Sequence, residues 1–101
     1  MSEVLIPFDM AALLDSDAAI SAYLSQVLED GDTEELLRAI GHVARARGMG
    51  QVARDTGLGR ESLYKAFAPG AKPRFDTVLK VLRALGIGLR AQPHATAHAP
   101  A

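Results

Sequence analysis

Arg60, Glu61, Ser62, Tyr64 and Lys65 fall within eight consecutive residues that also hold Leu63 and Phe67, spaced four apart. A helix through this stretch puts the two apolar side chains on one face and the polar ones on the other. These groups suit recognition of base edges and phosphates. A guanidinium can grip guanine O6 and N7 together, a carboxylate can accept from the cytosine amino group, and lysine, serine and tyrosine can reach base or phosphate. Each has a plainer reading. Arg60 can pair with Glu61 or with solvent, Glu61 can merely orient Arg60, and Tyr64 can cover the edge of a core. Upstream, Gln51 and the backbone N–H groups after Gly50 could hold a phosphate at a helix N-terminus. Downstream, Lys72 and Arg74 flank a loop, as backbone clamps or as loop charges. Arg45 and Arg47 fit equally well as charges closing a helix.

The elements that would position these groups are two short helices, about 50–56 and 60–68, joined by a tight glycine turn. Ala53 is small enough for a second helix to cross closely above it. Gly57 stands where the first helix must stop, because glycine adopts the left-handed conformation of a helix end without steric cost. Leu58 can plug the angle between the helices. This is the pattern of a helix-turn-helix whose second helix enters a major groove. The plainer reading is a helical corner used only for structure.

The 101 residues carry a net charge of −1, which alone argues against nucleic acid. The distribution reverses that reading. Residues 1–41 hold nine acids (Glu3, Asp9, Asp15, Asp17, Glu29, Asp30, Asp32, Glu34 and Glu35) against Arg38, a balance of −8, and residues 42–101 balance at +7. The basic part suits phosphates and the acidic part suits a basic protein surface, unless the two simply solvate or pair with each other. A chain of this size forms one domain that buries about 65% of its unfolded surface. It has no cysteine, hence neither disulfide nor thiolate metal site. No basic-then-apolar leader and no apolar run near the ~20 residues of a bilayer span are present, so a cytoplasmic protein without membrane contact is expected.

Residues 1–8 read as extended, and Asp9 can cap a short helix over Met10–Leu14. Ser16 or Asp17 caps a second helix to about Glu29, with Ile20, Tyr23, Leu24, Val27 and Leu28 at helical spacing. Asp30-Gly31-Asp32 is a stop and a new start, and Asp32 with Glu35 resembles a capping box. The next helix turns Leu36, Leu37, Ile40, Val43 and Ala44 inward and ends at Gly48. After the two motif helices, Pro69–Pro73 is a loop, and a final helix over about 75–85 carries Phe75, Val78, Leu79, Val81, Leu82 and Leu85. Residues 87–90 are a short strand or an extended exit. Tyr23 and Phe8 can anchor a protein partner or simply belong to the core. The expected fold is all-α: an acidic helical extension over 1–31 packed on a helix-turn-helix domain over 32–90, five to six helices in all, with a disordered tail over 91–101.

From Glu34 to Leu89 the chain resembles the phage lambda repressor/Cro-type helix-turn-helix family, through Val52-Ala53, Gly57-Leu58, Leu63, Phe67 and the run from Val78 to Gly86. It also resembles the addiction-module antidote proteins, the HigA-like antitoxins. That likeness extends back to about Phe8 and spans about four-fifths of the chain. It includes Ile20–Leu24, Ala44–Met49 and Arg60–Ala66. The resemblance implies a lambda-repressor-like fold and the neutralising half of a toxin–antitoxin pair. It further implies a small basic toxin of the RelE/ParE class as partner, and repression of the antitoxin's own operon. Gly50 and Gly59 depart from the pattern, standing at N-cap positions where the family often has serine. The change costs a few tenths of a kcal/mol and removes a hydroxyl that could touch a phosphate.

Catalysis finds no support. His42 has no nucleophile pattern around it, and His94 and His98 are four apart in a proline-broken tail with no third ligand, so neither a metal nor a cofactor is expected. Gly70-Ala71-Lys72 lacks the glycine spacing and Ser/Thr of a phosphate-binding loop. The leading reading is therefore an antitoxin that also binds double-stranded operator DNA. The alternatives are a stand-alone repressor without a toxin partner, and an adaptor whose helix-turn-helix has lost DNA. Two half-sites one helical turn apart would call for a homodimer, with the final helix and Ile87–Leu89 as the candidate interface.

Overall fold

The computed structural model describes residues 16–93, and among them the chain forms five α-helices and no strand. α1 (Asp17–Asp30) and α2 (Thr33–Arg47) are antecedents of the motif pair α3 (Met49–Thr56) and α4 (Arg60–Ala66), and α5 (Phe75–Ala84) closes the chain of helices. The short helix expected over Met10–Leu14, Phe8, His94 and His98 lie outside the described residues, as does most of the tail.

Helix starts and stops follow from local polar groups. The Ser16 hydroxyl accepts from the Ala19 N–H at 3.1 Å and the Asp32 carboxylate accepts from the Glu35 N–H at 3.2 Å, each satisfying a donor that the first turn leaves unpaired. The Asp32 half of the capping box thus forms. Gly31 ends α1 in the left-handed conformation, its N–H donating to Leu28 O. Gly48, at φ 110, both ends α2 and caps α3. The N-cap of α3 is therefore Gly48 and not Gly50, which lies inside the helix.

One cluster of side chains holds the helices together. Ile20, Leu24 and Val27 of α1 meet Ile40, Val43 and Ala44 of α2, Met49 and Val52 of α3, Leu63 of α4 with Phe67, and Val81, Leu82 and Leu85 at the end of α5. No polar or charged side chain is buried among the described residues. Two apolar positions expected inward face solvent instead. Leu28 is 47% exposed and Phe75 is 67% exposed, because each sits at the end of its helix and at the margin of its apolar stripe. Tyr23 is half-buried, and that burial, with help from Glu35 and against Arg38, raises its phenol above the ordinary value.

Two tertiary features fix the frame around the motif. Arg47 bridges Asp17 at 3.5 Å and donates to Leu85 O at 3.4 Å, tying the start of α1 and the ends of α2 and α5. These contacts fit the reading of Arg47 as a charge that closes its helix. At Gly41, α2 passes so close to the end of α4 that an added Cβ would lie 3.2 Å from the Phe67 Cβ. Glycine is favoured there by a neighbour distant in sequence, which the periodicity of α2 does not reveal.

Candidate nucleic-acid interface

α3 and α4 are separated by three residues, Gly57-Leu58-Gly59, and each contributes to the angle. Gly57 takes φ 78, a conformation that would strain any residue with a Cβ, and its N–H donates to Ala53 O at 2.9 Å. Leu58 is half-buried against the core. The Thr56 hydroxyl donates to Val52 O at 2.8 Å and accepts from the Leu58 N–H at 3.2 Å, so one side chain fastens the turn to the helix before it. Sequence reasoning passed over Thr56, although a hydroxyl residue just before a turn glycine is a usable signal.

α4 is amphipathic in the sense its sequence requires. Leu63 is fully buried and Phe67 nearly so. Arg60, Glu61, Ser62, Tyr64 and Lys65 are all exposed and share the helix's outer side. Among the described residues neither Arg60 nor Glu61 forms an ion pair, so the reading in which they only neutralise each other has no contact behind it. Gly59 caps α4 with extended backbone at φ −74, and the nearest atom to an added Cβ would be Ser62 Oγ at 3.9 Å. Serine would fit at this position, so the glycine is not demanded by space.

Tyr64 is 40% exposed, with the Arg45 guanidinium 5.8 Å from its ring centroid. That cation–π contact joins the end of α2 to the outer side of α4 and adds a positive group beside the row. Arg45 thus lies beside the candidate surface, while Arg47 contacts Asp17 and Leu85 O.

Gln51 is exposed at the start of α3, but its polar atoms are engaged. Its amide donates to Asp55 Oδ1 at 2.8 Å and its amide oxygen accepts from Arg54 Nη2 at 2.9 Å. Its backbone N–H donates to Gly48 O at 3.0 Å. The cap at Gly48 moves the free end of α3 to the Met49 and Gly50 N–H groups, two residues earlier than anticipated, and the Gln51 and Val52 N–H groups instead donate to Gly48 O. Lys72 and Arg74 are exposed in the loop after α4. Arg74 Nε lies 3.2 Å from Asp76 Oδ1 with both side chains largely in solvent, a pair that holds the guanidinium only weakly.

The structure therefore brings together Arg60, Glu61, Ser62, Tyr64 and Lys65 on one short helix, with Lys72 and Arg74 in the loop that follows it. Such a surface offers charge, hydrogen-bond donors and a flat ring. No group of three or more potential metal-ligating residues occurs among the described residues, and none of the described helices is long and apolar enough to cross a membrane.

A family described as probable addiction module antidote protein matches residues 4–93 of this chain. An uncharacterized protein of Haemophilus influenzae (strain Rd) is 45% identical over 92 residues, a stretch that covers 91% of this chain and 95% of that protein. No solved structure matches the chain. An antidote answers a toxin, so the family implies a toxin partner and points to a regulatory rather than a catalytic role. With nine-tenths of its length matched, the chain belongs to the family of probable addiction module antidote proteins.

Proposed function

We propose that this chain is a HigA-like antitoxin acting in the cytoplasm: it neutralises a small basic toxin of the RelE/ParE class and represses its own operon through α3 and α4. The observation that carries the DNA half is the sidedness of α4. Leu63 and Phe67 are spent on the core, while five consecutive-turn polar groups are left in solvent beside a basic loop. In this reading α4 is the recognition helix of a lambda-repressor/Cro-type fold. Arg60, Glu61, Ser62 and Lys65 read base edges, and Tyr64, Lys72 and Arg74 hold phosphates. Gln51 joins the phosphate contacts by exchanging its present partners. Repression from two half-sites uses a homodimer.

The toxin half rests on family membership and on charge. Glu29, Asp30, Asp32, Glu34 and Glu35 surround the turn between α1 and α2, all exposed and none in an ion pair among the described residues. DNA would be repelled there and a basic protein attracted. In this reading the labour is divided, with the acidic first part of the chain, through Glu35, serving the toxin and α3, α4 and the loop after them serving DNA.

The deciding experiment is growth on induction of the adjacent small open reading frame, with and without this chain. Arrest that co-expression relieves, with the two proteins co-purifying, is the expected result. Absence of toxicity, or toxicity that this chain cannot relieve, would overturn the antitoxin reading and leave a stand-alone repressor.

A further inference from the structure

Leu28, near the end of α1, and Leu89, in the segment after α5, are each 47% exposed; a single exposed leucine is ordinary, but a contiguous apolar patch marks an interaction surface. They are not scattered. Together with Leu24 and Ile87 they line a single groove between α1 and the residues that leave α5, and Glu29 and Arg90 line it too. Neither of those charged groups forms an ion pair among the described residues.

The charges select the occupant. A strongly basic partner would meet Arg90, and a strongly acidic one would meet Glu29. A second copy of the chain satisfies both, because a two-fold interface joins the same patch to itself and so favours surfaces that carry both signs around an apolar centre. We infer that this groove is where a second copy docks, with Leu28 and Leu89 packed across the two-fold and Glu29 facing the partner's Arg90. The inference deepens the dimeric reading above and rests on it. Asp30, Asp32, Glu34 and Glu35 do not line the groove and stay open to a basic protein in the dimer. The outer side of α4 likewise contributes nothing to it, so one molecule can engage DNA, toxin and its own copy through three separate surfaces.

The test is sedimentation equilibrium of the full chain without DNA, across a wide concentration range. The wild type is expected to dimerise. Leu28→Asp and Leu89→Asp are each expected to raise the dimer Kd by about tenfold or more, since a carboxylate would be forced into an apolar contact, while their helical circular dichroism and melting stay close to wild type. Glu29→Arg and Arg90→Glu are each expected to weaken the dimer by up to about fivefold, the range of partly exposed ion pairs, and the double exchange to regain most of the loss. A chain that is monomeric at every concentration, as it would be if its own residues 1–15 filled the groove, overturns both this interface and the dimeric reading. A dimer indifferent to both leucine changes overturns the groove alone. Failure of the double exchange to recover affinity overturns the facing of Glu29 and Arg90.

Discussion

Gly41 and Gly50 are both helical glycines, and replacing each by alanine is expected to move stability in opposite directions. In an isolated helix the substitution gains about 1 kcal/mol, because alanine loses less backbone freedom on folding. At Gly41 the new methyl would lie 3.2 Å from the Cβ of Phe67 and 3.7 Å from Arg45 Nη1. Arg45 can swing away. The Phe67 Cβ cannot, since it is fixed to the backbone that ends α4, where its N–H already donates to Leu63 O and Lys65 O. The two helices must part by a few tenths of an ångström, and overpacking of this kind costs about 1–3 kcal/mol. Taking about 2 kcal/mol for the strain and about 1 for the propensity gain, Gly41→Ala loses about 1 kcal/mol, a fall in Tm of roughly 4–8 °C for a domain of this size. At Gly50 the nearest atom is Arg54 Nη1 at 3.8 Å, ordinary contact with the far end of a flexible side chain. Only the propensity term remains, reduced in the first turn to about 0.5 kcal/mol, so Tm should rise by roughly 2–4 °C. Thermal unfolding followed by circular dichroism at 222 nm measures both. A Gly41→Ala variant as stable as, or more stable than, the parent would refute the claim that α2 and α4 are in contact at this glycine.

Three further outcomes are expected. Thr56→Val keeps the shape of the side chain but removes the hydroxyl that Leu58 N–H donates to, and should cost about 1–2 kcal/mol in chemical denaturation; an unchanged midpoint would mean the turn does not depend on it. Arg60→Ala should relax sequence preference by about 1–3 kcal/mol at one base pair, whereas Lys72→Ala should weaken operator and random DNA alike and lower the salt slope by about 1; equal losses on both DNAs for both variants would remove Arg60 from base readout. The raised phenol of Tyr23 means the folded chain holds that proton more tightly than the unfolded one. Its contribution is complete below the unfolded value near pH 10 and is lost as pH rises through the folded value. Tyr23→Phe should therefore flatten the alkaline loss of stability, and an identical alkaline limb in both proteins would contradict the assignment.

Much of the fold is legible in the sequence because helix ends are decided locally. Ser16, Asp32 and Gly57 act within three or four residues of where they stand, so each announces its own boundary. Gly48-Met49-Gly50 was harder, since either glycine can begin a helix; burial of Met49 in the common core places the break at Gly48, and that packing is not a local property. Gly41 and Phe67 illustrate the same limit more sharply, because the demand for glycine comes from a side chain on another helix. At the candidate site the chemistry of α4 was readable from residue types and the four-residue spacing of Leu63 and Phe67. The partners of Gln51 lie three and four residues away on its own helix and were readable in principle. Arg45 over Tyr64 was not, as only the packing of α2 against α4 brings them together. These two ties have different consequences. On the proposed DNA-binding reading, the link to Arg54 and Asp55 would have to open before the Gln51 side chain took a phosphate, and its contribution to affinity would be reduced by the bonds it gives up. The Arg45 contact leaves much of Tyr64 exposed and sets a positive charge beside it, so on the same proposed reading the phenol hydroxyl and the guanidinium would meet one phosphate without giving up a buried bond.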